Sequence, residues 1–189
     1  MSRVLFTAYK AGSGKSTLSL TMGALAYDVW GDDVQVCFKD IDYDQDTLTT
    51  FVDLLGLKNY PEEEANLILV DSGAKQKGLD AEFKAADKIV LVCNPGLIDI
   101  RVNEKFAKEE LRPYKKKTCI LWNRVRSNVR LENDIVSGVE PYDAYFKGFK
   151  KLKNHIKLSS EYGKFMETGK LIKKTADELS RVMLELKIS

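Results

Sequence analysis

The chain has 189 residues, 44% of them hydrophobic, which is ample for one buried core and points to a single domain over 1–189. No apolar run approaches the roughly 18 residues that span a bilayer, and the opening MSRVLFTAYKAG has no cleavable signal pattern, so the cytoplasm is the expected address. The formal charge of +2 hides an asymmetry: acids dominate as far as Asp71, whereas residues 142–189 carry eleven Lys or Arg against six Asp or Glu.

In chain order, β-rich apolar runs are predicted at 3–8, 34–39, 66–70, 88–93 and 118–122, with a weaker one at 155–158. Segments with helical spacing lie between and after them. In 17–30, Leu18, Met22, Leu25, Ala26 and Val29 fall close to one face, and 101–111 and 171–186 behave similarly. Strand followed by helix, repeated, is the pattern of a mostly parallel sheet covered on both faces, and runs such as LILV and IVLV suit strands buried on two sides. The expected fold class is therefore a doubly wound α/β sheet. Cys37, Cys93 and Cys119 sit in or beside apolar runs and read as reduced core residues. Tyr142, Tyr145, Phe146 and Phe149 also read as core packing, and the single histidine, His155, has no neighbouring Cys or His for a transition-metal site.

The most informative segment is KAGSGKST at 10–17, between the first predicted strand and the first predicted helix. A strand-to-helix turn of this kind gathers backbone N–H groups at the positive end of a helix, and Gly12 and Gly14 let the main chain approach an anion without a Cβ in the way. Lys15 would reach the β- and γ-phosphates, Ser16 would give Mg²⁺ one oxygen ligand, and Thr17 would donate near the α-phosphate. Ala11, Gly12, Ser13 and Gly14 complete the expected cradle for ATP.

The common phosphate-loop pattern wants glycine where this chain has Tyr9, and Lys10 follows. A lysine five residues before the loop lysine resembles the signature lysine of the deviant Walker A motif, KGGxGK[ST], of the ParA/MinD ATPases, with Ala11 in place of a glycine. Further segments are similar in family order. DIDYDQ, with Asp40 and Asp42, resembles the motif after strand 2, although Gln45 falls one place late; LILVD ending at Asp71 resembles the Walker B strand. Asn94-Pro95-Gly96-Leu97-Ile98-Asp99 resembles the loop after strand 4, and LWNRV resembles the adenine-contacting segment, with Asn123 in place.

The resemblance implies a P-loop fold and Mg²⁺-dependent ATP hydrolysis. Mg²⁺ would be held by Ser16 and, through water, by Asp71, with Asp40 a further candidate ligand. Asp42, then Asp40, would orient the attacking water, Asp44 being a rival. Asn123 would hydrogen-bond the adenine edge, and Lys10 would reach the phosphates of a partner copy in an ATP-dependent homodimer. Small ParA-type partition ATPases further imply nonspecific DNA as matrix and a centromere-binding activator of the ParB type. Lysines 147, 150, 151, 153, 157, 164, 170, 173 and 174 are the candidate DNA face. A MinD-like membrane role would use the apolar stripe of 171–186, but Asp177, Glu178 and Glu185 favour packing on the sheet instead. A switch for a conjugation or secretion partner with little hydrolysis, and a small-molecule kinase, are the other expectations; the kinase would need an Arg-rich lid, and none is evident beyond Arg124, Arg126 and Arg130 just after strand 5.

Overall fold

The computed structural model describes residues 1–41, 47–73 and 79–188. Six strands form one sheet: β1 (Ser2–Thr7), β2 (Val36–Asp40), β3 (Leu67–Asp71), β4 (Lys88–Cys93), β5 (Thr118–Trp122) and β6 (Lys150–Lys151). Their order is β2-β3-β1-β4-β5-β6, and every pairing is parallel. The helices are α1 (Lys15–Trp30), α2 (Thr47–Leu54), α3 (Asp80–Ala85), α4 (Leu97–Phe106), α5 (Arg130–Ser137), α6 (Glu161–Thr168) and α7 (Lys173–Leu186).

Alternation along each strand divides the core in two. Val4, Phe6, Leu67, Leu69, Val90 and Val92 point to one face, where they meet Leu18, Met22 and Leu25 of α1, Phe165 of α6, and Leu179, Val182 and Leu186 of α7. Leu5, Ile68, Val70, Ile89 and Leu91 point to the other, against Phe83 of α3, Ile100 of α4 and Ile135 of α5. Strands that bury both faces must be apolar throughout, as these are. The contact between α1 and the sheet is close enough to demand glycine at one point, since a Cβ on Gly23 would lie 2.2 Å from the Phe38 ring.

Two expectations are corrected in detail. The weak sixth strand lies at Lys150–Lys151, and 155–158 makes only a bridge between Val125 and Lys157. The intervening chain still follows β5, with Leu152 N–H donating to Ile120 O and Ile156 N–H to Trp122 O at 2.9 Å each. Two lysines begin the edge strand because charged side chains discourage further pairing there, and an apolar-run search passes over them. The helix expected at 101–111 starts earlier, at Leu97, and its last turn, Ala107–Leu111, widens into a π-turn.

The remaining core expectations hold. All three cysteines are free and buried, and burial pushes the Cys119 thiol up to about 12. Phe146 is fully buried and meets Trp122 edge-on at 5.8 Å, with Tyr142, Tyr145 and Phe149 packed on the same cluster. The apolar stripe of α7 packs on the sheet. Among the described residues no helix is long and apolar enough to cross a membrane, and no group of three or more His, Cys, Asp or Glu side chains is placed to hold a metal ion.

Candidate functional site

The chain leaves β1 at the carboxyl end of the sheet, beside the point where strand order reverses around β1; crevices at such switch points are where open α/β sheets bind ligands. The turn from β1 into α1 lies there. Gly12 (φ 72°) and Gly14 (φ 93°) both adopt left-handed backbone conformations, and Gly14 is the N-cap of α1. Ala11 is not among the positive-φ residues and is exposed, so a methyl group there costs the loop nothing.

The amino end of α1 has no side-chain cap and no acidic residue in its first turn, which leaves its partial positive charge available to an anion. Lys15, at the first position of the helix, is only 7% exposed. Ser13 Oγ and Ser72 Oγ are buried without a hydrogen-bond partner, two polar atoms on the segments that leave β1 and β3.

Ser16 Oγ donates to Asp71 Oδ2, which joins the first turn of α1 to the end of β3. Asp40 stands directly across the β2–β3 ladder from Asp71 and accepts a hydrogen bond from Leu48 N–H at 2.9 Å, so it also starts α2. A hydroxyl beside a carboxylate is the hard-oxygen donor set that Mg²⁺ prefers, and these residues fit the ion. Asp42, with Asp44 and Gln45, lies outside the described residues.

The residues after β5 grip the loop from the side. Asn123 is buried; its Nδ2 donates to Ser13 O at 2.6 Å, and a Cβ on Gly14 would approach that nitrogen to 2.5 Å. Arg124 adopts a left-handed conformation (φ 56°), and its Nη1 donates to Gly12 O at 2.7 Å. A strained non-glycine residue beside a ligand loop marks a position that the surroundings enforce. Both carbonyls thus have side-chain donors from the segment after β5. Arg124's part in the loop is not legible in the sequence, since 112 residues separate it from Gly12. Of the other two arginines that a lid could use, Arg126 is engaged by Glu132 and Arg130 lies 3.7 Å from Asp134.

On the opposite side, Lys10 Nζ donates to Asp99 Oδ1 at 3.0 Å. Asp99 is held in turn by Asn94 Nδ2 at 3.2 Å, and Asn103 Nδ2 donates to Asp99 O at 2.9 Å. Asn103 Oδ1 accepts from Tyr9 N–H at 3.0 Å, which fastens the start of the loop to α4. The Lys10 side chain is 57% exposed, and an ion pair so open to water is cheap to break.

A cavity of about 240 Å³ opens beside the loop, lined by Gly14, Thr17, Asn123, Arg124, Lys157 and Tyr162 among others. It is too small for a whole nucleotide, and suits a base whose phosphates extend onto the loop. Four of the nine candidate lysines come together in one groove. Lys153, Lys157, Lys173 and Lys174 line a groove of about 550 Å³ along α7, together with Arg181, His155 and the carboxylates Asp177 and Glu178. Burial and Lys157 hold the His155 imidazole below its ordinary pKa. Lys151 Nζ instead donates to Asp143 O at 2.7 Å, Lys164 pairs with Glu161 at 2.9 Å, and Lys150 Nζ reaches Glu185 O at 3.4 Å.

No family model matches the chain, and no curated protein matches it. Solved structures do. McdA from Cyanothece in complex with ATP superposes with a TM-score of 0.73 at 12% identity, covering 100% of this chain and 97% of that one. MinD from Aquifex aeolicus gives 0.68 at 19% identity, covering 97% of each chain. ParA of pNOB8 bound to nonspecific DNA gives 0.59 at 12% identity, covering 97% of this chain and 99% of that one. The chain has the fold of the MinD and ParA ATPases. The α/β class, the parallel sheet and the fold implied by the sequence resemblance are thus borne out.

Proposed function

We propose that this protein is a Mg²⁺-dependent ATPase of the ParA/MinD kind that pairs with a second copy on ATP and acts as a switch in DNA partition. The observation that carries the reading is the loop itself: two left-handed glycines, an uncapped helix terminus, an enclosed Lys15, and Ser16 beside Asp71. Lys15 and the N–H groups of 12–17 neutralise the phosphates. Ser16 and, through water, Asp71 hold Mg²⁺, with Asp40 at hand across the ladder; the ion supplies charge neutralisation at the β- and γ-oxygens. Asn123 and Thr17 wall the base side. Asp42, with Asp40 second, is the candidate to orient water.

Lys10 is held within its own protomer by Asp99, so ATP and a partner copy must draw it away. The exposed Leu97 and Ile98 beside Asp99 favour a protein surface as what meets this rim. The likeness to a ParA structure bound to nonspecific DNA, together with the basic groove along α7, supports duplex DNA as the matrix, and a ParB-type activator would be the partner that stimulates hydrolysis. The membrane reading loses its main support because the stripe of α7 is occupied by the sheet.

Hydrolysis of ATP with and without nonspecific duplex DNA, alongside gel shifts in ATP and in ADP at stated salt, tests this function. ATP-specific, salt-sensitive retention of DNA with measurable turnover is expected. Nucleotide binding without turnover or DNA retention would replace it with the partner-directed switch.

A further inference from the structure

Because every pairing in the sheet is parallel, all six strands begin at one end, opposite the phosphate loop. The segments that lead into them share a face there, and the strand order β2-β3-β1-β4-β5-β6 sorts their charges. On the β2–β3 side, Asp32 and Asp33 precede β2, and Glu63 and Glu64 precede β3; all four are exposed. On the β4–β5–β6 side, Lys88 opens β4, Lys115, Lys116 and Lys117 precede β5, and Lys150 opens β6. Lys88, Lys116, Lys117, Lys150 and Lys187, the last just beyond α7, line one small cavity of about 60 Å³. One half of the face is thus acidic and the other basic.

Little within the chain cancels either half. Lys58 stands among the acids, but at 3.5 Å from an Asp32 side chain that is fully exposed. Glu185 lines the cavity of lysines, yet its carboxylate already accepts from Lys153 N–H at 2.9 Å and Asn154 N–H at 3.1 Å. Lys117 Nζ is spent on Lys84 O and Ala86 O, and Lys150 Nζ reaches Glu185 O only at 3.4 Å. Asp87, at the boundary just before β4, takes Arg3 N–H at 2.8 Å. Beside the acids, at the start of the central strand β1, a second cavity of about 250 Å³ is walled by Met1, Trp30, Val34, Leu67 and Ile188 among others, so the face also offers apolar surface.

We infer that this face pairs with the same face of a second copy of the chain, about a two-fold axis that lays the acidic half of each on the basic half of the other. A surface with opposite charges side by side is complementary to itself after half a turn, which is the geometry of an isologous contact. Other occupants meet only part of it: a nucleic acid is repelled by the acids, and a cationic peptide by the lysines. A second copy answers both halves at once. The apolar cavity by β1 then falls inside the contact, with the charges around it. Such pairing needs no nucleotide, because the phosphate loop and Lys10 lie at the opposite end of the sheet. Exposed ion pairs are individually weak and are screened by salt, so the contact is a modest and salt-sensitive one.

Sedimentation velocity of the full chain over a range of concentrations, free of nucleotide and nucleic acid, at about 20 mM and about 500 mM NaCl, tests this pairing. A concentration-dependent dimer is expected at low salt and a monomer at high salt. Two double variants reverse one half each: Lys116→Glu with Lys187→Glu, and Asp32→Lys with Glu64→Lys. All four side chains are exposed, so the fold tolerates the changes. Each variant alone sets like charge on like and should self-associate about tenfold more weakly or worse. Their equimolar mixture should associate again, because one variant is then acidic on both halves and the other basic on both. A wild type that stays monomeric at low salt, a dimer indifferent to salt, or a mixture that stays apart overturns the pairing. So does a monomeric wild type that retains a DNA duplex through Lys116 and Lys187, which would give the basic half to nucleic acid instead.

Discussion

The phosphate loop and the groove along α7 are both surfaces suited to anions, but they are made in opposite ways. The loop offers backbone: N–H groups, a helix terminus, two left-handed glycines and one enclosed lysine, with the carbonyls of Ser13 and Gly12 held by Asn123 and Arg124. The groove offers four lysines and an arginine on long side chains, against the carboxylates of Asp177 and Glu178. A backbone cradle is preorganised and loses much when one atom is misplaced, whereas a field of flexible charges is tolerant and responds to salt. The first suits a small ligand of defined geometry, the second a polymer met in any register.

That contrast is breakable by substitution. Gly14→Ala should do the most damage, because a methyl group there is both strained at φ 93° and driven into Asn123 Nδ2. A stability loss of about 1–3 kcal/mol in urea unfolding is expected, together with loss of nucleotide binding. Gly12→Ala sharpens the point: nothing lies within 4 Å of its Cβ, so only the backbone strain remains, about 1–2 kcal/mol. Next comes Arg124→Ala, which frees the Gly12 carbonyl and opens the wall of the adjoining cavity. Nucleotide affinity in calorimetry should fall by roughly 5- to 10-fold, the worth of about 1 kcal/mol of hydrogen bonding. Smallest are single changes in the groove. Lys173→Ala or Lys174→Ala should weaken duplex binding only a few-fold and reduce the log–log salt slope by about 1 each. A single lysine there that abolished binding would mean the groove is as exacting as the loop.

Legibility in the sequence follows the same division. The loop was readable because its requirements are local: glycine for left-handed backbone, lysine and serine at the helix start, and an apolar strand before them. Five strands were readable because burial on two faces forces continuous apolar runs. The start of β6 was not, since an edge strand at Lys150–Lys151 answers to solvent rather than to the core. Helices α2, α3, α5 and α6 are short, between six and eight residues, and give periodicity too little length to register. Pairings across long separations were also hidden. Lys10 with Asp99 and Arg124 with Gly12 depend on which strand ends the topology brings together. Nor did a list of nine lysines reveal that four of them line one groove while others are spent on Asp143, Glu161 and Glu185.

Lys15 is the residue through which this loop is proposed to hold the phosphates of Mg²⁺·ATP. Calorimetric titration of Mg²⁺·AMPPNP into the wild type and Lys15→Ala tests it most directly. Saturable binding is expected, weakened by roughly 10- to 150-fold in the variant, the worth of a charge-assisted hydrogen bond. Equal affinity in the two proteins would contradict it.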